Sequence, residues 1–396
     1  MGPTSAPSTR FAAIDIVRGA VMVLMAIDHV RVFSGVPAGG PSPAVFFTRW
    51  VTHFCAPAFV FLAGTSAYLY ERHHRDTSRF LVWRGAWLVL LELTVIRMCW
   101  TFNFDFRHYM LAGVIWVIGW CMILLALLRR LPVVAVGAIG LAVIAGHNAV
   151  DPYLSSIVPA LAQSALSWLW KILYLGFHAG PITLGAAGHH LWVLYSIVPW
   201  IGVMAAGYAF GTVVMAEPAR RRMLCLRIGG AAIAVFLLLR GTNFYGDPRP
   251  WHGLGPGSSL PAILAFLNTS KYPASLDFLL MTLGPTIVIL PFLERARGAL
   301  ADVLNVFGRV PFFFYLLHIP LIHLLSFVVS VVREGRVNPW LFENHPMGNS
   351  PPPAGYTWGL PTLYAVWLIA VALLYIPCKW FASVKARRKS GWLRFL

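Results

Sequence analysis

The feature that most constrains this chain is the recurrence of apolar runs about 20 residues long, separated by short polar stretches. A run of that length matches the hydrocarbon thickness of a bilayer when helical, and only helices or closed barrels satisfy their backbone groups there. A barrel would show alternating residues in segments of about ten, and that pattern is absent. The composition agrees: 58% of the residues are hydrophobic and 11% charged, against about 25% charged in an average soluble domain. The mean hydropathy is +0.71. The expected fold is therefore all-α and polytopic, a single membrane domain of 396 residues.

Ten spans are expected, at about 12–33, 44–70, 80–101, 110–128, 132–150, 191–215, 222–240, 275–293, 308–332 and 360–381. An eleventh is added if 160–177 crosses. Lys171 and the flanking aromatics favour a re-entrant or interfacial helix there instead. The net charge of +17 is concentrated in alternate loops, which is the positive-inside pattern and not the footprint of a nucleic-acid-binding protein. Residues 71–79, Arg129–Arg130, 216–227, 294–309 and the basic tail 382–396 then fall on the cytoplasmic side, together with a short amino-terminal segment, 1–10. The longer segments, about 151–190, 241–274 and 333–359, fall outside. The second and third of these, rich in Pro, Gly and aromatic residues, are expected to form structured loops capping a central cavity. Cys55, Cys99, Cys121, Cys225 and Cys378 form no CxxC pair and read as small buried hydrophobes. Charges inside the first apolar run argue for a retained span over a cleaved signal.

That first run carries Asp15, Arg18, Asp28, His29 and Arg31. Ionisable groups within a span are costly and usually face a protein interior or a watery cavity. Residues eleven apart on a helix are rotated by about 20° and separated by roughly 16 Å, so Arg18 and His29 share a face, with Asp15 near it. Arg18, beside Asp15, offers a guanidinium to phosphate near one membrane surface. Deeper in the span, His29 is a base or nucleophile. Asp28 and Arg31 adjoin it but project to other sectors of the helix.

The second span sets Arg49 and His53 one turn apart, and a hairpin of spans one and two brings His29 and His53 to similar depth around one cavity. Glu92 lies mid-span with Arg97 as its expected counter-ion. Acceptor binding is expected from Arg49 and Glu92 within the spans and, at the outer mouth, from Asn103, Asp105, His147, Asn148, Asn243 and Asp247. Span nine repeats the first design, with Arg309 at its start and His318 about two and a half turns deeper. His318 and His323, five apart, share no face, and no HExxH, Walker A or GxSxG pattern occurs, so no metal is expected.

The string AIDIVRGAVMVLM from Ala13, APAFVFLAGT from Ala56 and GRVPFFFYLLHIP from Gly308 resemble the heparan-alpha-glucosaminide N-acetyltransferase catalytic domain family. Ala13 stands where the SxD-x-x-RG start has Ser. The Arg18-x10-His29 spacing is also similar to that of the wider transmembrane acyltransferase superfamily. The resemblance implies transfer of an acetyl group from acetyl-CoA, a co-substrate, to an acceptor on the opposite membrane face. From the placement and chemistry of the residues themselves, donor binding is expected at Arg18, Asp15, Arg309 and His318, and catalysis at His29, His53 and Asp28. Lysosomal members are thought to use a His in the loop after the first span; residues 34–47 contain none, and His53 stands where their Asp is expected.

The expected reaction is acetyl transfer to an amino sugar or glycan hydroxyl in a bacterial inner membrane, with both termini cytoplasmic; a homo-oligomer is compatible with the sequence. A transporter or flippase of a sugar-linked substrate uses the same residue types, and so does a protein in which they only lock helices together.

Overall fold

A computed structural model describes residues 11–387 apart from 41, 253–260 and 347–349. The expected segment 1–10 and the tail beyond Arg387 lie outside the described residues. Helices dominate: α1 (Ala12–Ser34), α2 (Pro43–Glu71), α3 (Thr77–Leu91, running on through a π-helical turn Glu92–Ile96 into Arg97–Thr101), α4 (Val114–Leu128), α5 (Val133–Gly146), α6 (Ile197–Val214), α7 (Pro218–Thr242), α8 (Leu276–Leu293), α9 (Ala299–Arg309), α10 (Pro311–Glu334) and α11 (Leu360–Arg387).

Seven helices among the described residues are long and apolar enough to cross a membrane: α2, α5 with its extension to Tyr153, α6, α7, α8, α10 and α11. The sequence reading of ten spans is met at seven for physical reasons. Asp15, Arg18, Asp28 and Arg31 lower the hydropathy of α1; Arg79, Arg84, Glu92 and Arg97 do the same for α3, and α4 has only 15 residues. Segment 160–177 breaks into short pieces, Leu154–Gln163, Ser167–Trp170 and Lys171–Leu175, none of spanning length.

An all-α fold is not the whole description. Residues 110–112 and 191–193, expected to open two spans, lie in strands instead. Strand β1 (Met110–Ala112) pairs in parallel with β3 (His189–Val193), and β2 (Ile182–Leu184) pairs antiparallel with β3. Short, irregular connections leave backbone groups that a helix cannot satisfy, and the sheet pairs them.

Helix α1 is central, packed on α2, α8, α9, α10 and α11. Its contact with α9 is close: a Cβ at Gly308 would lie 1.7 Å from the Asp15 carbonyl oxygen, so only glycine fits. The peripheral α5, α7 and α11 leave most of their apolar surface exposed, with Val134, Leu141, Leu238 and Ile376 facing outward, whereas α2, α6 and α8 are mostly buried. That outer apolar surface is compatible with a lipid bilayer.

Candidate active site

Two cavities flank the middle of α1. The first, about 450 Å³, is lined by Asp28 and His29 of α1, Arg49 of α2, Glu92 of α3, Tyr315 of α10 and Lys271 from the segment before α8. The second, about 570 Å³, is lined by Arg18, Arg84, Arg309 and Lys385 together with Ser66 and Tyr70. Arg18 and His29 thus line different cavities along one helix. The two cavities share Phe59, Val114 and Tyr315. Asp28 and Arg31, expected on other sectors of α1, both line the histidine cavity as well.

His29 has an unforeseen partner. Its Nδ1 lies 2.5 Å from Nε2 of His318, with the rings stacked at 4.7 Å. Sequence reading placed His318 with the donor site; it is fully buried behind His29 and lines neither cavity. Its Nδ1 is 2.7 Å from the Tyr315 carbonyl and 3.2 Å from that of Phe314. Carbonyls only accept, so Nδ1 of His318 carries the hydrogen, and in the neutral ring Nε2 holds the lone pair. His29 must then donate from Nδ1, which leaves its own Nε2 as the basic nitrogen. Trp100 meets the His29 ring edge-on at 4.8 Å and fixes its plane. Asp28 does not bond His29; it takes Arg31 at 2.7 Å and Arg49 at 3.8 Å.

His53 does not join this pair. It is 4% exposed, packs on Phe278 at 5.4 Å and has a hydrogen-bond partner on neither ring nitrogen. Neighbouring Thr52 and Cys55 line the histidine cavity; His53 does not. The cause is local: residues Val51–Phe54 wind as a 3-10 turn. Its tighter winding of about 120° per residue, against about 100° in an α-helix, rotates His53 toward α8.

Glu92 lines the cavity, but Arg97 is not its counter-ion. Arg97 donates to the carbonyls of Tyr109 at 2.8 Å, Asp105 at 2.7 Å and Asn103. Glu92 approaches Gly113, where a Cβ would sit 2.2 Å from Oε1, and its Oε2 is buried without a partner. The other expected acceptor contacts hold loops. Asn103 donates to the Phe342 carbonyl at 2.6 Å, and Asn344 donates to Asp105 at 2.9 Å. Burial opposes ionisation of the Asp105 carboxyl, but hydrogen bonds from the His108 backbone and the Asn344 amide hold it below the usual range. The loop they clamp brings Trp340 and His345 to the cavity.

A second clamp holds 270–276. His147 donates from Nε2 to the Ala274 carbonyl at 2.8 Å, and Asn148 accepts from the Leu276 N–H at 2.8 Å. Asp247 accepts from the Ser270 N–H at 2.7 Å, the Ser270 hydroxyl at 2.8 Å and the Ser275 hydroxyl at 2.7 Å. Asn243 bonds only the Trp251 backbone among the described residues. Of the eight expected acceptor residues, then, Arg49 and Glu92 reach the histidine cavity.

What the second clamp presents is Lys271 and Tyr272, which sequence reasoning missed. Lys271 is 7% exposed, sits 5.3 Å from the Tyr272 ring and finds no acceptor for its ammonium among the described residues. Burial opposes ionisation of the Tyr272 phenol, yet the charges of Lys271 and Arg49 bring it below its ordinary value. One signal was available: Lys271 is one of two lysines before the last helix, and it stands in a segment expected to be outer, where the positive-inside rule disfavours it. Arg84 and Lys385 were equally legible as cations near the expected cytoplasmic ends of spans.

The family described as heparan-alpha-glucosaminide N-acetyltransferase, catalytic, matches residues 10–243, from α1 through α7. No curated protein matches the chain.

Proposed function

The chain belongs to the heparan-alpha-glucosaminide N-acetyltransferase catalytic family, and on that premise we propose that it moves an acetyl group from cytoplasmic acetyl-CoA to an amino sugar or glycan hydroxyl on the outer face of a bacterial cytoplasmic membrane. In this reading α1, α3 and α4 also cross the bilayer, giving ten spans with both termini cytoplasmic. The observation that carries it is the pair of cavities meeting at Phe59, Val114 and Tyr315, one basic and one holding a base.

The basic cavity suits a polyanionic donor: Arg18, Arg84, Arg309 and Lys385 hold the CoA phosphates, and the pantetheine arm runs toward His29. Guanidinium groups match phosphate oxygens in pairs. The acceptor enters the histidine cavity beside Lys271 and Arg49. Nε2 of His29 takes the proton from the acceptor nitrogen or oxygen as that atom bonds to the thioester carbon. The C–S bond then breaks, and the imidazolium returns the proton to the departing CoA thiolate. His318 keeps the reactive nitrogen of His29 unprotonated and aimed, and Asp28 draws Arg31 and Arg49 to one edge of the cavity.

The test is transfer from acetyl-CoA labelled in the acetyl group, with purified protein in liposomes and glucosamine or a short amino-glycan as acceptor. Labelled acetyl-sugar is the expected product. A folded protein that neither binds CoA nor transfers the acetyl group would sink the enzyme reading, and concentrative sugar uptake without CoA would replace it with transport.

A further inference from the structure

The two cavities share three lining residues, Phe59, Val114 and Tyr315, and among these the phenol of Tyr315 is the one polar side-chain group. In the proposed reaction a donor held in the basic cavity has to bring its thioester past these residues to reach an acceptor at His29. Tyr315 is 4% exposed, its ring lies 6.4 Å from the His29 ring in an edge-on arrangement, and its phenol bonds no described residue. The same residue's carbonyl accepts the Nδ1 hydrogen of His318. One residue therefore orients the histidine pair through its backbone and presents a free donor where the two substrates meet.

Resting on the acetyltransferase reading, we infer that the Tyr315 phenol hydrogen-bonds the carbonyl oxygen of the donor thioester and stabilises the negative charge that grows there. When the acceptor attacks, the carbonyl π electrons move onto that oxygen. They return as the C–S bond breaks, so the phenol is neither consumed nor deprotonated. A donor set in a dry site and aimed at the developing oxyanion acts mainly in the transition state. Phe59 and Val114 contribute the dry walls, and Tyr315 contributes the dipole.

The substitution Tyr315→Phe keeps the ring and its contacts with His29 and His318 and removes only the hydroxyl. Single-turnover transfer is expected to slow by about 10²–10³-fold, with the dissociation constant of acetyl-CoA changed less than about threefold. Transfer within about threefold of the unsubstituted protein would overturn the assignment. Should Tyr315→Phe not fold, 3-fluorotyrosine at position 315 keeps the shape with a stronger donor. It is expected to speed transfer at a pH where it stays protonated, and an unchanged rate overturns the assignment as well. If the unsubstituted protein binds acetyl-CoA but transfers nothing, the acetyltransferase reading itself fails and this role falls with it.

Discussion

At the scale of single residues, the chemistry rests on which nitrogen of His29 is free. The chain of contacts Tyr315 carbonyl, His318, His29 settles that by hydrogen-bond complementarity, since a carbonyl cannot donate. In the proposed reaction His29 is then the reacting base and His318 a positioning residue. Removing His29 as Ala is expected to lower transfer by about 10²–10⁴-fold, the usual contribution of a general base, without weakening acetyl-CoA binding. His318→Ala is expected to lower kcat by a smaller factor and leave the KM for acetyl-CoA unchanged, because the freed Nδ1 of His29 loses its acceptor and the ring its plane. Steady-state kinetics of the two variants test the order. Equal losses, or a raised KM in His318→Ala, would return His318 to the donor site where its place in the sequence suggested it.

At the scale of elements, two loops close the histidine cavity, and each is tied down by polar residues that sequence reading assigned to the acceptor. The loop clamped by Asn103 and Asp105 carries a pH dependence. Burial, reinforced by the charge of His323, pushes the His345 imidazole down to about 4, against an ordinary value of 6.5. Its Nε2 is buried without a partner, and its ring lies 4.0 Å from Trp340. The closed loop therefore favours neutral His345. Between pH 6.5 and about 4 the open loop binds more protons than the closed one, so closure weakens as pH falls through that window and is complete above it. Amide protection factors across Pro339–Phe342, observed exchange corrected for the intrinsic rate at each pH, are expected to be lower at pH 5 than at pH 7.5, and His345→Phe to remove the difference. Equal protection factors at both pH values in the unsubstituted protein would contradict this.

At the scale of the whole molecule, the arrangement is a central α1 with a basic cavity along one half and a histidine cavity along the other. If the membrane lies across this axis as the loop charges suggest, the ends of α6 and α7 near Ala216 and the turn near Gly185 face opposite compartments. Single cysteines replacing those two residues, in a background with the native cysteines substituted, are expected to react with an impermeant maleimide from opposite sides of sealed vesicles. Labelling of both from the same side would discard the assigned topology and with it the cross-membrane direction of transfer.

Much of this was written locally in the chain. The length and apolarity of its runs set a helical membrane architecture, because a backbone in lipid has few ways to satisfy its own polar groups. Helical spacing alone put Arg18 and His29 on one face of α1, and the motif strings from Ala13 and Ala56 lie within the stretch that matches the family. Pairing was not local. His29 and His318 stand 289 residues apart, and their contact exists because α1 and α10 pack side by side. The turning-away of His53 depended on a tighter turn that its neighbours impose, and the cavity role of Lys271 on clamps contributed by three distant segments. Periodicity reports which way a side chain faces on its own helix; what it faces is determined by the helices and loops that the tertiary fold brings against it.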